Sequence, residues 1–214
     1  GVSSVFMTWE SVISVFATLS LAGGVYIVAM TKYEDDVNTV TSSFIGLTAT
    51  ASILVYSICM GVNILFPKLF ELNTWYLAFM WLQTFANAIT SLWLMRKRFT
   101  YDYKKVIAFT FSNAVLSPIV AIIGVKLFEQ NKAIAKVIGS GIWGIMFGLV
   151  LMVILISRGK KLYHKGYWKY ALKFNIPLIP HYLSSQILSS ADKLMLNGIV
   201  NAASAGLYSI AYSA

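Results

Sequence analysis

The chain has 214 residues, of which 58% are apolar and 12% charged, and its mean hydropathy of +0.72 excludes an ordinary soluble domain. Its net charge of +9 lies between long apolar runs, where it sets membrane orientation and is no sign of nucleic acid as a partner. Uncharged gaps at 11–31, 37–67, 72–95, 106–125, 137–157 and 174–191 are each long enough for a spanning helix, so six crossings are expected. The shorter, alternating strands of a membrane barrel are missing from the pattern.

The first helix, about Val5 to Met30, carries Glu10 and ends at the polar segment TKYEDDVN. Glu10 is an ionisable group about one and a half turns inside the apolar run, which makes it a functional candidate. So near a helix end, reaching the headgroups is the favoured reading. The second helix, about Val40 to Phe66, is rich in Thr, Ser and Gly (Thr41, Ser42, Ser43, Gly46, Thr48, Thr50, Ser52), a composition that suits close packing or a wet cavity face. The third, about Trp75 to Met95, is bounded by Trp75, Tyr76 and Trp93 as interfacial anchors. The fourth, about Val106 to Phe128, combines Asn113 with Pro118 and predicts a kink and a polar spot. The fifth, about Ala133 to Ser157, carries Lys136 near its start.

Two loops, 96–105 and 158–169, hold ten of the seventeen lysines and arginines. The positive-inside rule makes both cytoplasmic, with the 67–74 and 129–132 turns outside and the acidic 31–37 loop inside. Gly139 to Gly144, GSGIWG, matches a dinucleotide fingerprint in form only. No strand precedes it and no acid follows at the ribose-binding distance. Gly141, Gly144 and Gly148 read instead as a close-packing face. Cys59 is alone, and neither His164 nor His181 has a metal or catalytic spacing, so no metal, cofactor or enzyme activity is expected. Asp102 with His164 is the best pair a membrane transferase could use, and it fits no known spacing.

The sixth run lies in Lys169 to Asn197, KYALKFNIPLIPHYLSSQILSSADKLMLN. Pro177 and Pro180 break it, so the carbonyls of Lys173 and Ile176 are expected to lose their helical partners. His181 follows directly, near mid-bilayer by the helical rise. It could bind a sugar hydroxyl or phosphate, relay protons, or stay neutral and hydrogen-bonded. Asp192 and Lys193 close the run near the outer surface, as substrate ligands or as a structural pair. No removable signal peptide is read at the start, which lacks a Met, and the apolar end at Gly206–Ala214 reads as a helix cut short. The chain is therefore expected to be a fragment. Its end, GLYSIAYSA, also aligns with its beginning, GVSSVFMTW, at an offset of 205 residues. Six crossings lie between the two, an even number, as a parallel repeat requires.

Asn175 to Ala214, NIPLIPHYLSSQILSSADKLMLNGIVNAASAGLYSIAYSA, resembles the middle of polysaccharide biosynthesis proteins of the oligosaccharide flippase kind. These share a superfamily with the multidrug and toxin extrusion antiporters and the lipid II flippases. The matching features are Pro177 to Pro180, Asp192 with Lys193, and Gly206 with Tyr208 and Tyr212. GVSSVFMTWESV followed by YEDD resembles the start of the family's second helix. The resemblance implies an all-α polytopic membrane protein, part of a two-lobed fold of twelve or more helices. Residues 1–169 would be five helices of the N-terminal lobe, its first helix missing, and 170–214 the first helix of the C-terminal lobe and the start of the next. It further implies translocation of a polyprenyl-diphosphate-linked oligosaccharide to the outer leaflet of a bacterial or archaeal cytoplasmic membrane, by alternating access. Membrane lipid, a polysaccharide polymerase and glycosyltransferases are the implied neighbours. Substrate contacts are expected from His181, Asn175, Ser184, Ser185, Asp192 and Lys193, with Asn113 and Glu10 behind them, and hinges at Pro177, Pro180 and Pro118. A cation-coupled multidrug exporter of the same fold is the alternative, and it needs a buried acid, for which Glu10 reads as shallow.

Overall fold

A computed structural model of the chain describes residues 2–66, 73–127 and 132–188. These residues are helical with short connections, and no strand occurs among them. Helix α1 covers Val2–Ala17, α2 Val25–Lys32, α3 Val37–Leu65, α4 Thr74–Phe99, α5 Tyr103–Leu127, α6 Lys132–Gly159 and α7 Lys165–Asn175. A 3₁₀ turn at Ile176–Leu178 leads into α8, residues 179–188. Four segments are long and apolar enough to cross a membrane: Glu34–Leu65, Thr74–Phe99, Tyr103–Gly124 and Gly141–Gly159. The chain is therefore a multi-pass membrane protein.

Two of the six expected runs differ. The first is not one helix from Val5 to Met30 but two, α1 and α2, joined through a 3₁₀ turn at Leu21–Gly23. Leu19 and Ser20 sit in the left-handed region, at φ 49° and 47°, which costs a non-glycine residue roughly 1–2 kcal/mol. Hydropathy alone does not register such a break, because every residue around it is apolar or small. The sixth run is broken where its prolines predicted. The Ile176 carbonyl nevertheless keeps a partner, since the Ile179 N–H donates to it in the tighter 3₁₀ spacing. Pro118 is accommodated inside α5, whose spanning segment has no buried residue and packs mainly on α6.

Packing is set by small residues. Helix α6 lays Gly141, Gly144 and Gly148 against α4, where added Cβ atoms would lie 2.6 Å from Gln83 Oε1, 3.4 Å from Asn87 Oδ1 and 2.6 Å from the Ala86 carbonyl oxygen. The face read from sequence as close packing is thus the α6–α4 contact. Gly46 plays the same part on α3, where the backbone of Leu162 runs across it. Around that crossing, Ser42 Oγ donates to the Lys161 carbonyl at 2.8 Å and Trp168 Nε1 to the Ser43 carbonyl at 3.0 Å. Tyr167 OH donates to Asp36 at 2.7 Å. The basic segment 159–170 is thereby fastened to the start of α3. Most of the Thr, Ser and Gly content of α3 serves packing, with Thr41 and Ser43 fully buried.

Two apolar clusters form the interior. One joins Leu21, Tyr26, Phe44, Leu92 and Tyr167 at the end that carries the basic loops, and the other joins Phe6, Ile13, Tyr56, Leu77 and Met80 toward the opposite end. Gly148→Ala is expected to lower stability by about 1–3 kcal/mol through overpacking on the Ala86 backbone. Gly61, also helical, has nothing within 4 Å of an added Cβ, so Gly61→Ala should raise stability by up to about 1 kcal/mol. Denaturation midpoints in detergent check both signs.

Candidate functional site

Between the clusters, α1, α3, α4 and α8 line an open cavity of about 360 Å³. Its polar lining comes from Glu10, Ser11, Ser14 and Thr18 on one side and Thr84, Asn87 and Ser91 on the other. Thr48 and Gln186 complete it, from α3 and α8. The polar residues repeat with the helical period on both walls, which puts each set on one helix face. Glu10 is half-buried, and its carboxylate accepts a long hydrogen bond of 3.4 Å from Gln83 Nε2. The Oε1 of Gln83 is buried without a hydrogen-bond partner. Glu10 stands about two turns before the end of α1 at Ala17, on the cavity wall.

Three hydroxyls of the lining share one polarity. Ser14 Oγ donates to the Ser11 carbonyl at 2.9 Å, Thr48 Oγ1 to Phe44 at 2.9 Å and Ser91 Oγ to Asn87 at 2.8 Å. Each hydrogen is spent on its own helix, so the oxygen is left to accept.

The site residues expected from sequence scatter around this cavity. Glu10 lines it. Asn175 is buried at 1% exposure, and its Nδ2 donates to the Leu19 carbonyl. It ties the end of α7 to the break between α1 and α2. His181, Ser184 and Ser185 are exposed on α8 and do not line the cavity, while Tyr182 and Gln186 take the inward side. The Tyr182 hydroxyl lies 3.2 Å from where a Cβ on Gly23 would sit. Pro177 and Pro180 are exposed at the α7–α8 junction, and Asn113 and Pro118 are exposed on α5, away from the cavity. Asp192 and Lys193 lie outside the described residues.

The break is internally satisfied. The Ser20 N–H donates to Thr18 Oγ1 at 3.2 Å, Leu21 N–H to the Thr18 carbonyl at 3.2 Å and Gly23 N–H to Ser20 at 2.9 Å. With Asn175 on the Leu19 carbonyl, the strained turn keeps its polar groups paired, as lipid demands.

At the basic end, Asp102 bridges Lys97 and Lys105 at 2.9 Å each, and those ammonium groups hold its carboxyl below the usual range. His164 stacks on Tyr167 at 4.0 Å and caps α7 by accepting from the Tyr167 N–H. Both members of the pair weighed as catalytic are thus engaged with other partners. Arg96 donates to Asn38 Oδ1 at 2.8 Å, and Lys32 lies 4.6 Å from the Tyr170 ring centroid. Among the described residues no three His, Cys, Asp or Glu side chains converge as metal ligands. Comparison with protein-family models, curated proteins and solved structures finds no match for the chain.

Asn175→Ala, leaving the Leu19 carbonyl unpaired, is expected to cost about 1–3 kcal/mol. Asn175→Asp should cost more, since it buries an acceptor against an acceptor, and unfolding in detergent orders the two. The Asp36 hydrogen bond pushes the Tyr167 phenol from 10 up to about 12. A raised folded pKa means that this contribution is whole below pH 10 and lost as pH rises toward about 12. Ultraviolet titration of Asp36→Asn against wild type should show one late-ionising tyrosine fewer, as the Tyr167 phenol moves back toward 10.

Proposed function

We propose that this chain is the N-terminal lobe, with the opening of a second lobe, of a flippase. It carries a polyprenyl-diphosphate-linked oligosaccharide from the cytoplasmic to the outer leaflet of a bacterial or archaeal membrane. The observation that carries the reading is the polar cavity set among spanning helices. Carboxylate, hydroxyl and amide groups there offer what a sugar needs and what lipid does not supply. Ser91, on the cavity wall, precedes Arg96 by five residues of one helix, about 7.5 Å along the axis. A diphosphate held by the basic end would leave the sugars it carries within reach of the cavity. The α7–α8 break, tied by Asn175 to the α1–α2 break within the first lobe, supplies a joint at which one lobe can rock against the other. In this reading the protein acts by binding and movement, with no covalent chemistry.

A second reading, a cation-coupled exporter of the same two-lobed fold, gains support from the depth of Glu10, which puts an ionisable group on the cavity wall.

Reconstitution of the full-length protein in proteoliposomes separates the two. The flippase reading expects labelled polyprenyl-diphosphate glycan to reach the outer leaflet. Dye efflux that follows a sodium or proton gradient, with no glycan transfer, would sink it. Arg96→Ala should reduce glycan transfer several-fold and leave any dye efflux untouched.

A further inference from the structure

The cavity differs in charge from the basic end beside it. Among the described residues that line it, Glu10 is the sole charged one. Ser14, Thr48 and Ser91 have committed their hydrogens to helix carbonyls and face a ligand as acceptors. Gln83, which packs against Gly141 behind the wall, turns its amide nitrogen to Glu10 and supports the carboxylate from outside the cavity. Beside these acceptors the wall carries the amides of Asn87 and Gln186. No lysine or arginine stands in it to compensate an anion.

We propose that the cavity selects by this polarity: it takes neutral and amine-bearing sugars and rejects sugars that carry a carboxylate. The proposal rests on the flippase reading and names the class of glycan for that same site. A carboxylate accepts two hydroxyl donors at once, so vicinal hydroxyls of a neutral ring fit Glu10 directly. A protonated amine gains a charge-assisted bond there. The carboxylate of a uronic acid brings only acceptors to this wall and sets a second negative charge beside Glu10. At about 360 Å³ the cavity is at the small end of ligand pockets, which run about 300–1,000 Å³. One or two sugar rings are thus inspected at a time, and the rest of the repeat unit is left unread.

The test uses the full-length protein in proteoliposomes with three polyprenyl-diphosphate-linked disaccharides whose outer sugar is glucose, glucosamine or glucuronic acid. Wild type should deliver the first two to the outer leaflet at least about 10-fold faster than the third, a difference of about 1.4 kcal/mol. Glu10→Gln should shrink that ratio to below about threefold. Equal rates for all three in wild type would overturn the proposal. So would a Glu10→Gln variant that slows all three by one factor, because that is the behaviour of a coupling group. Thermal stabilisation of the detergent-solubilised protein by the same three compounds reads binding apart from movement. The same ordering there without leaflet transfer would uphold the acceptor cavity and overturn the flippase reading, whereas no ordering in either assay would overturn the proposal.

Discussion

A backbone that leaves the helical path inside a bilayer must find partners for the groups it frees, and the architecture here follows from meeting that demand twice in one place. The chain breaks after Ala17 and again after Asn175, more than 150 residues apart in sequence. The amide of Asn175 serves the first break from the edge of the second. Neither break is independent of the other. The left-handed turn at Leu19 and Ser20 is tolerable because its carbonyl is met, and the root of α8 is fixed beside that turn. Tyr182 over Gly23 extends the same contact by a turn.

The fixed root has a consequence for the cavity. Helix α8 contributes Gln186 to the wall, so whatever moves α8 changes the enclosure of Glu10. The basic segment is held just as firmly, by Ser42, Ser43 and Asp36 on α3 and by the lack of side chain at Gly46. Helix α7 is thus anchored along its length: Tyr167, Ala171 and Asn175, one turn apart, are buried, and Lys165, Lys169 and Lys173 form the exposed stripe. An anchored α7 followed by a 3₁₀ turn with two prolines is a stiff lever on a short joint.

What could be read from the residues divides along physical lines. Four spans, the glycine face of α6 and the proline break all follow from local rules of length, size and missing donors, and the structure contains them. The α1–α2 break does not follow from such rules. It depends on a partner at Asn175, and a tertiary hydrogen bond leaves no mark on hydropathy. The cavity lay between these cases. Glu10, Ser14 and Thr18 on α1 and Thr84, Asn87 and Ser91 on α4 repeat at three- and four-residue steps, a polar stripe that periodicity can detect once two helices are compared. Attention to single conspicuous residues favoured His181, Ser184 and Ser185, which sit on the outward side of α8, over the inconspicuous Gln186 on its inward side.

The same comparison explains how one set of packed helices can carry two opposite polarities without conflict. The lysines and arginines gather where helices end, so their charge stays within reach of water and headgroups and needs few partners inside. Where a cation does face the interior side of that end, it is answered individually, Lys97 by Asp102 and Arg96 by Asn38. The cavity begins about one and a half turns deeper, and there the polar groups are one acid, the amides of Asn87 and Gln186, and serines and threonines, of which Ser14, Thr48 and Ser91 turn their hydrogens back on the helices that bear them. Hydroxyl groups bonded in this way add little cost to a membrane helix while empty and still offer lone pairs to a guest. Cations at the edge favour an anionic group there, and the acceptor groups deeper in favour hydroxyls. Moving Glu10 to the edge or Arg96 to the centre would undo both.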